Sequence, residues 1–280
     1  GIPSGIGIAQ RRSANKLIEE FMLLANETVA EHFYWMETPF VYRVHEKPAA
    51  DKVEQLRIFL KGFGITLRGN ADGIHPKAIC SVLDSAKGKP GEDVVNSVTL
   101  RSMQKAFYST SCEGHFGLAL KYYCHFTSPI RRYPDLMIHR IIKQSIHEGL
   151  SDKALKHFRK KAEYAADQSS IAERKAVEAE REVEKLKKAE YISYHVGEIF
   201  DGVISGVTGF GIYVQLENTV EGLVRIDELR DDYYDYHKEK YALEGRRTGN
   251  VYRLGDEVRV IVDHVDLEKH EIDFLIAGHL

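Results

Sequence analysis

Cysteine is scarce in this sequence. Cys80, Cys112 and Cys124 make an odd number with no Cys-x-x-Cys spacing, which argues against a disulfide framework or a zinc ribbon and for a reducing, cytoplasmic setting. No apolar run approaches the length of about 18 residues that spans a bilayer, and no charged-apolar-small leader opens the chain. Neither a transmembrane helix nor a signal peptide is therefore expected. No internal repeat or low-complexity tract is found either. The first residue is Gly1 rather than methionine, so the chain reads as a piece of something longer. What is present is 43% hydrophobic residues, enough to bury a core and to exclude global disorder.

The small net charge of −3 hides an asymmetry. Residues 1–195 carry 30 Lys and Arg against 24 Asp and Glu, whereas residues 196–280 carry 9 against 18. A basic body followed by an acidic tail predicts two domains, with any polyanion held mainly by the first.

Periodicity supports that division. Leu17, Phe21, Leu24, Ala25 and Val29 form a helical stripe over Ser13 to about His32. Pro39 ends it, and Phe40 to Val44 alternates like a short strand. Helices are predicted from Ala49 to Leu60, from Pro76 to Ala86 and behind Pro129 to about His147, with helix or mixed structure from Val94 to Phe107. Ser151 to Tyr194 is the longest periodic segment. The sequence Ser170-Ile171-Ala172-Glu173 has the form of a capping box, predicting two helices that meet near Ser169 and pack on the basic body. Beyond Tyr194 the texture changes to short alternating runs punctuated by Gly202, Gly206, Gly209 and Gly211. About five strands in about 85 residues predict a small barrel.

The chemistry is densest between His115 and Asp135. Thr127-Ser128-Pro129-Ile130-Arg131-Arg132 places two arginines beside a Ser-Pro helix start, where amide donors and a guanidinium would favour the same phosphate. The alternative is that Arg131 and Arg132 pair with Asp135 or with carboxylates of later helices. Cys112 and His115 lack a third partner for nucleophilic catalysis. His139 and His147 have no zinc-site spacing.

The stretch from His115 to Arg140 resembles the signature of the RNase II/RNase R family of 3′-to-5′ exoribonucleases, nearer to the RNase R branch. The opening Ala14–Glu27 segment, Tyr42-Arg43-Val44-His45 and Ser170–Glu182 are similar to the same catalytic domain. The tail, with Gly202-Val203-Ile204-Ser205-Gly206-Val207, Phe210-Gly211-Ile212-Tyr213-Val214 and Glu221-Gly222-Leu223-Val224, resembles an S1-type RNA-binding domain. The resemblance implies an α+β fold. Residues 1–194 would be the mostly helical distal part of an RNB-type catalytic domain, and residues 195–280 an S1-like OB-fold barrel of five strands.

In that family the metal ions are held by a cluster of aspartates, and no such cluster occurs in residues 1–195. Asp231, Asp232 and Asp235 come closest and are read as a solvated loop. The resemblance therefore implies Mg²⁺ in the whole enzyme, with no metal ligand in this chain and no hydrolysis by the chain alone. It assigns Arg131 to the scissile phosphate and Glu180 to the reacting centre, with Glu173 as its rival. Arg132 would be a second phosphate contact or a structural ion pair. Phe40 would clamp a base, within one residue of alignment. Phe210 and Tyr213 would be the stacking aromatics of the barrel face, beside Arg225. The implied partner is RNA, single-stranded at the 3′ end where it enters; single-stranded or structured RNA would be degraded processively to nucleoside monophosphates by metal-dependent hydrolysis, by a cytoplasmic monomer without membrane contact. The alternative function is a non-catalytic RNA-binding protein that retains the fold.

Overall fold

The computed structural model describes residues 3–7, 10–89, 91–238 and 241–279, and among them are six α-helices and ten strands. Helix α1 (Ser13–Trp35) outruns the predicted stripe by a turn. Its apolar stripe is not a core face: Leu17, Phe21 and Leu24 are exposed, and only Asn26, Ala30 and Phe33 near its end are buried. Strand β1 (Tyr42–Val44) pairs antiparallel with β2 (Phe107–Ser109). Between them lie α2 (Ala50–Gly62), α3 (Pro76–Ala86) and α4 (Glu92–Arg101). Pro76 sits in the first turn of α3, where its missing N–H costs no intrahelical bond.

Two expectations about the helices are corrected. Helix α5 runs from Tyr133 to His147 with Pro134 in its first turn, so Pro129 does not start it. The Ser128–Arg132 segment is instead a turn, in which the N–H groups of Arg131 and Arg132 both reach the Ser128 carbonyl. Helix α6 (Asp152–Ser193) is one unbroken helix of 42 residues, about 63 Å long at 1.5 Å per residue. Ser170 caps nothing. Its hydroxyl donates to the Ala166 carbonyl (2.8 Å) and accepts from the Tyr108 N–H (2.9 Å). A tertiary partner on β2 thus displaces the local capping pattern.

The tail closes into the predicted five-stranded barrel from β3 (Ile199–Thr208), β4 (Gly211–Leu216), β5 (Glu221–Arg225), β9 (Glu257–Asp266) and β10 (Glu271–His279). Their order is β10-β5-β4-β3-β9, closed by a parallel contact between β10 and β5. Between β5 and β9 the chain inserts a separate antiparallel sheet of β6 (Tyr234–His237), β7 (Ala242–Gly245) and β8 (Val251–Arg253), which was not predicted. Here the acidic loop is structural rather than merely solvated. Asp232 accepts from the Thr248 N–H (2.5 Å), the Arg247 N–H (2.7 Å) and the Thr248 hydroxyl (2.9 Å), and these donors hold its carboxyl well below the usual range.

Apolar residues gather into two cores. One joins Ala30, Phe33, Phe40, β1, β2, α5 and the first half of α6, including Phe158, Ala162 and Ala165. The other runs without a break from α2–α4 through Ala189 and Ile192 at the end of α6 into the barrel. The change of sequence texture near residue 194 coincides with the end of α6, yet apolar packing crosses it. Among the described residues no helix is long and apolar enough to cross a membrane.

Candidate functional site

The site grows out of the strand pair and the turn before α5. Val41, Tyr42 and Val44 are buried, which draws Arg43 into the protein on β1 with only 12% of its side chain exposed. A guanidinium in that position needs both a carboxylate and a ring face. Arg43 has both: paired bonds of 2.6 and 3.0 Å to Glu173 on α6, and the Tyr108 ring 4.6 Å from its centre. The Tyr108 hydroxyl is 2.9 Å from Nδ1 of His125.

Asn26, 3% exposed on α1, fixes the segment that carries His125. Its amide nitrogen donates to the Tyr123 hydroxyl (3.3 Å), its amide oxygen accepts from the Phe126 N–H (2.9 Å), and its carbonyl accepts from the Cys124 thiol (3.2 Å). His139 stacks flat on Phe126 at 4.4 Å and meets its carbonyl at 2.9 Å.

Asp135, fully buried in the first turn of α5, shapes the arginine turn. Its Oδ2 accepts from the Ser128 N–H (2.7 Å) and from Nε and Nη2 of Arg132 (3.2 and 2.7 Å). Arg132 is therefore the ion-paired arginine of the two. Arg131, next in the turn, projects into solvent, and its side chain makes no hydrogen bond or ion pair among the described residues. Burial pushes the His125 imidazole down to about 2, helped by the charges of Arg132, Arg43 and Arg131. Burial and the neighbouring His45 and Arg43 likewise lower His115 to about 4. Both rings are neutral at pH 7. The result is two arginines neutralised by their carboxylates and one uncommitted guanidinium, Arg131, suited to an oxyanion.

The other predicted site residues divide. Phe40 is 1% exposed and stacked on Phe33 at 5.1 Å, so it has no ring face for a base; it is core. Glu173, not Glu180, joins the Arg43 cluster, while Glu180 is exposed two turns further along α6. On the barrel, Phe210 is exposed and Tyr213 half-buried, edge-to-face at 6.2 Å. Arg225 is engaged with Asp273 across the barrel seam, both bonds at 3.3 Å.

Asp135 was named from the sequence as the alternative partner of the two arginines, and it pairs with Arg132; Tyr108, His125 and Asn26 were not singled out. The signal for one more, Arg43, was a charge alternating within an apolar strand. The residues present do not make a divalent-metal site: among the described residues no three His, Cys, Asp or Glu converge, and Asp135 Oδ2 is committed to N–H donors.

Comparison with known proteins follows this geometry. The RNB domain family matches residues 1–148 and the S1 RNA binding domain family residues 193–277. The chain is 47% identical over 275 residues to Ribonuclease R 1 of Lactococcus lactis, covering 98% of this chain and 34% of that protein. It is 42% identical over 283 residues to Ribonuclease R of Aquifex aeolicus, covering 100% of this chain and 39% of that one. The chain thus spans between a third and two fifths of these relatives. A solved structure of Mycoplasma genitalium RNase R in complex with ribose-methylated single-stranded RNA superposes with a TM-score of 0.91 at 32% identity, over 98% of this chain and 43% of that chain. With the Ser-Pro-Ile-Arg-Arg turn inside the matched region and the barrel matched separately, the chain belongs to the RNB domain family of ribonucleases and carries an S1 RNA binding domain behind it.

Proposed function

We propose that residues 1–194 are the distal part of the catalytic domain, and residues 195–280 the RNA-binding tail, of a metal-dependent 3′-to-5′ exoribonuclease. The observation that carries this reading is the uncommitted Arg131 guanidinium, held by the Asp135–Arg132 turn beside Arg43 and a neutral His125. An arginine with no carboxylate partner of its own meets a phosphate without first breaking an ion pair. The substrate is single-stranded RNA, consistent with the RNA bound in the Mycoplasma genitalium relative. The protein acts as a monomer in the cytoplasm.

Arg131 acts on the scissile phosphate and Arg132 shapes the turn. Glu173 fixes Arg43, whereas Glu180 lies on the same helix closer to the barrel. The described residues supply no metal cage, so the 280-residue chain binds RNA without hydrolysing it.

Two measurements test this. With magnesium and a labelled single strand, the chain alone releases no mononucleotides; release would overturn the assignment of the metal ligands to residues outside it. In the longer protein, Arg131→Ala lowers turnover roughly 10²–10³-fold, the scale of a lost oxyanion donor, with a much smaller loss of affinity. Equal losses would make Arg131 a uniform binding contact instead.

A further inference from the structure

Helix α6 begins with a charge pattern that the rest of it does not share. Residues 152–161 carry five Lys and Arg against one acid, whereas residues 162–193 carry six against eight. Towards the end of the helix the lysines find local partners: Lys185 pairs with Glu182, and Lys187 with Glu190. At its start they do not. Asp152 and Glu163 lie four and three residues from Lys156 and Lys160, the spacings at which helical side chains pair. Yet among the described residues Lys153, Lys156 and Lys160 make no ion pair and no side-chain hydrogen bond.

The three lysines share one face. Their spacings of three and four place them on the opposite side of the helix from Phe158, Ala162 and Ala165, which bury its inner side. All three are exposed, and exposed Arg159 and Lys161 flank the row. Tyr164 continues it one turn further on. Its side chain is 64% exposed, and its ring packs on no other ring among the described residues. Neither feature serves the fold: cations in the first turns of a helix oppose its dipole, and an exposed tyrosine fills no core.

The row also lies apart from the places already described. Along α6 it is about 20–30 Å from Glu173, whose carboxylate reaches Arg43, and more than about 40 Å from Ala189, where the helix meets the barrel. A strand held here is a different segment from one held beside Arg43 or on the barrel. Lysines alone would suit an acidic protein equally well. The exposed ring in line with them favours a ligand that offers flat bases as well as negative charge.

We propose that Lys153, Lys156, Lys160 and Tyr164 form a docking site for a single-stranded stretch of RNA outside the arginine turn, with phosphates on the three lysines and one base on Tyr164. Such a site grips the backbone without reading its sequence. It rests on the RNA-binding reading above and adds a second foothold, which raises the effective concentration of the strand at the first.

The test titrates the intact 280-residue chain with a fluorescein-labelled oligoadenylate at several salt concentrations. Lys153→Gln, Lys156→Gln and Lys160→Gln together lower the slope of log affinity against log salt by about 2, at roughly 0.7 per phosphate. Lys153→Arg, Lys156→Arg and Lys160→Arg together retain it. Tyr164→Leu weakens binding about 5- to 150-fold at an unchanged slope, and Tyr164→Phe binds like the parent chain. Lys77→Gln, Lys87→Gln and Lys89→Gln, at exposed positions around α3, are the charge-matched control. A slope that falls no further for the α6 glutamine triple than for this control overturns the site and leaves the RNA-binding reading standing. A slope that falls while Tyr164→Leu changes nothing makes the row a general polyanion patch, as open to an acidic protein, and overturns its assignment to RNA. A parent chain that binds no oligoadenylate overturns the RNA-binding reading and the site with it.

Discussion

Arg43 and Glu173 stand 130 residues apart and meet through two parallel hydrogen bonds of 2.6 and 3.0 Å, joining β1 to the middle of α6. The arginine is 12% exposed and the glutamate 36%, so the pair lies between an exposed bridge, worth about 0–1 kcal/mol, and a buried one whose breakage costs about 3–5. Arg43→Ala is expected to destabilise the chain by about 2 kcal/mol in urea unfolding. Arg43→Lys retains the charge but loses the fork and the stacking on Tyr108, and should cost about 1. A loss near zero for both would show that the pair only decorates the surface.

Asp135 gathers three N–H donors on one oxygen, Oδ2, and leaves Oδ1 buried without a hydrogen-bond partner among the described residues. Asp135→Ala leaves the Ser128 N–H and the Arg132 guanidinium without their acceptor inside the protein. The expected cost is about 3–5 kcal/mol, read as a shift of the denaturation midpoint. Asp135→Asn retains one acceptor and should recover part of it. If alanine and asparagine were equally mild, the turn would be held by its backbone alone.

Acid should loosen this region before it touches the carboxylates. His125 and His115 are lowered to about 2 and about 4, below the ordinary imidazole value of about 6.5. The unfolded chain then binds more protons than the folded one below about pH 6.5. Their stabilising share is complete above that pH and falls on acidification, by up to about 1.4 kcal/mol per unit for each ring. Urea midpoints at pH 7 and pH 5 measure it, and His125→Asn should flatten about half of the drop. A profile without slope across that interval would mean that both rings take up protons in the fold as readily as in the unfolded chain.

Gly222 of β5 sits under Phe274 of β10. A β-carbon there would lie 2.6–2.8 Å from three atoms of the ring, which is 1% exposed. Gly222→Ala must displace that ring within a closed barrel and is expected to cost about 1–3 kcal/mol. A thermal midpoint unchanged from the parent would show that the barrel core yields more easily than its packing implies.

The helices with strong local punctuation were legible: α3 begins at Pro76 and ends at Ala86 as its sequence indicates. The barrel was legible from alternation, because inward residues such as Val258, Val260 and Val262 repeat every second position. What failed were patterns with a distant partner. Ser170 and Glu173 spell a local cap, but Tyr108 and Arg43 claim them. Sheet β6–β8 was missed because its strands carry Tyr, Asp and Glu, leaving little apolar alternation. Phe40 and Tyr213 are both aromatic, and only burial separates core from surface. Within the site, Arg131 stood out by its motif, whereas Tyr108 and His125 had no motif of their own.

Helix α6 spans the gap between the two cores. Its first half is anchored by Phe158, Ala162 and Ala165 and its end by Ala189 and Ile192, while residues 174–185 run exposed between them. Such a strut fixes angular phase as well as distance. One residue inserted in the exposed span would turn everything beyond it by about 100° and advance it by about 1.5 Å, rotating Ala189 and Ile192 away from the barrel. Seven inserted residues would nearly restore the angle, within about 20°, but would carry the barrel about 10 Å off its seat on α2–α4. A charge swap in the same span leaves both quantities unchanged, although at Glu182 it removes a contact with His270 of the barrel. Residues 174–185 therefore constrain the fold by their number more than by their exposed side chains.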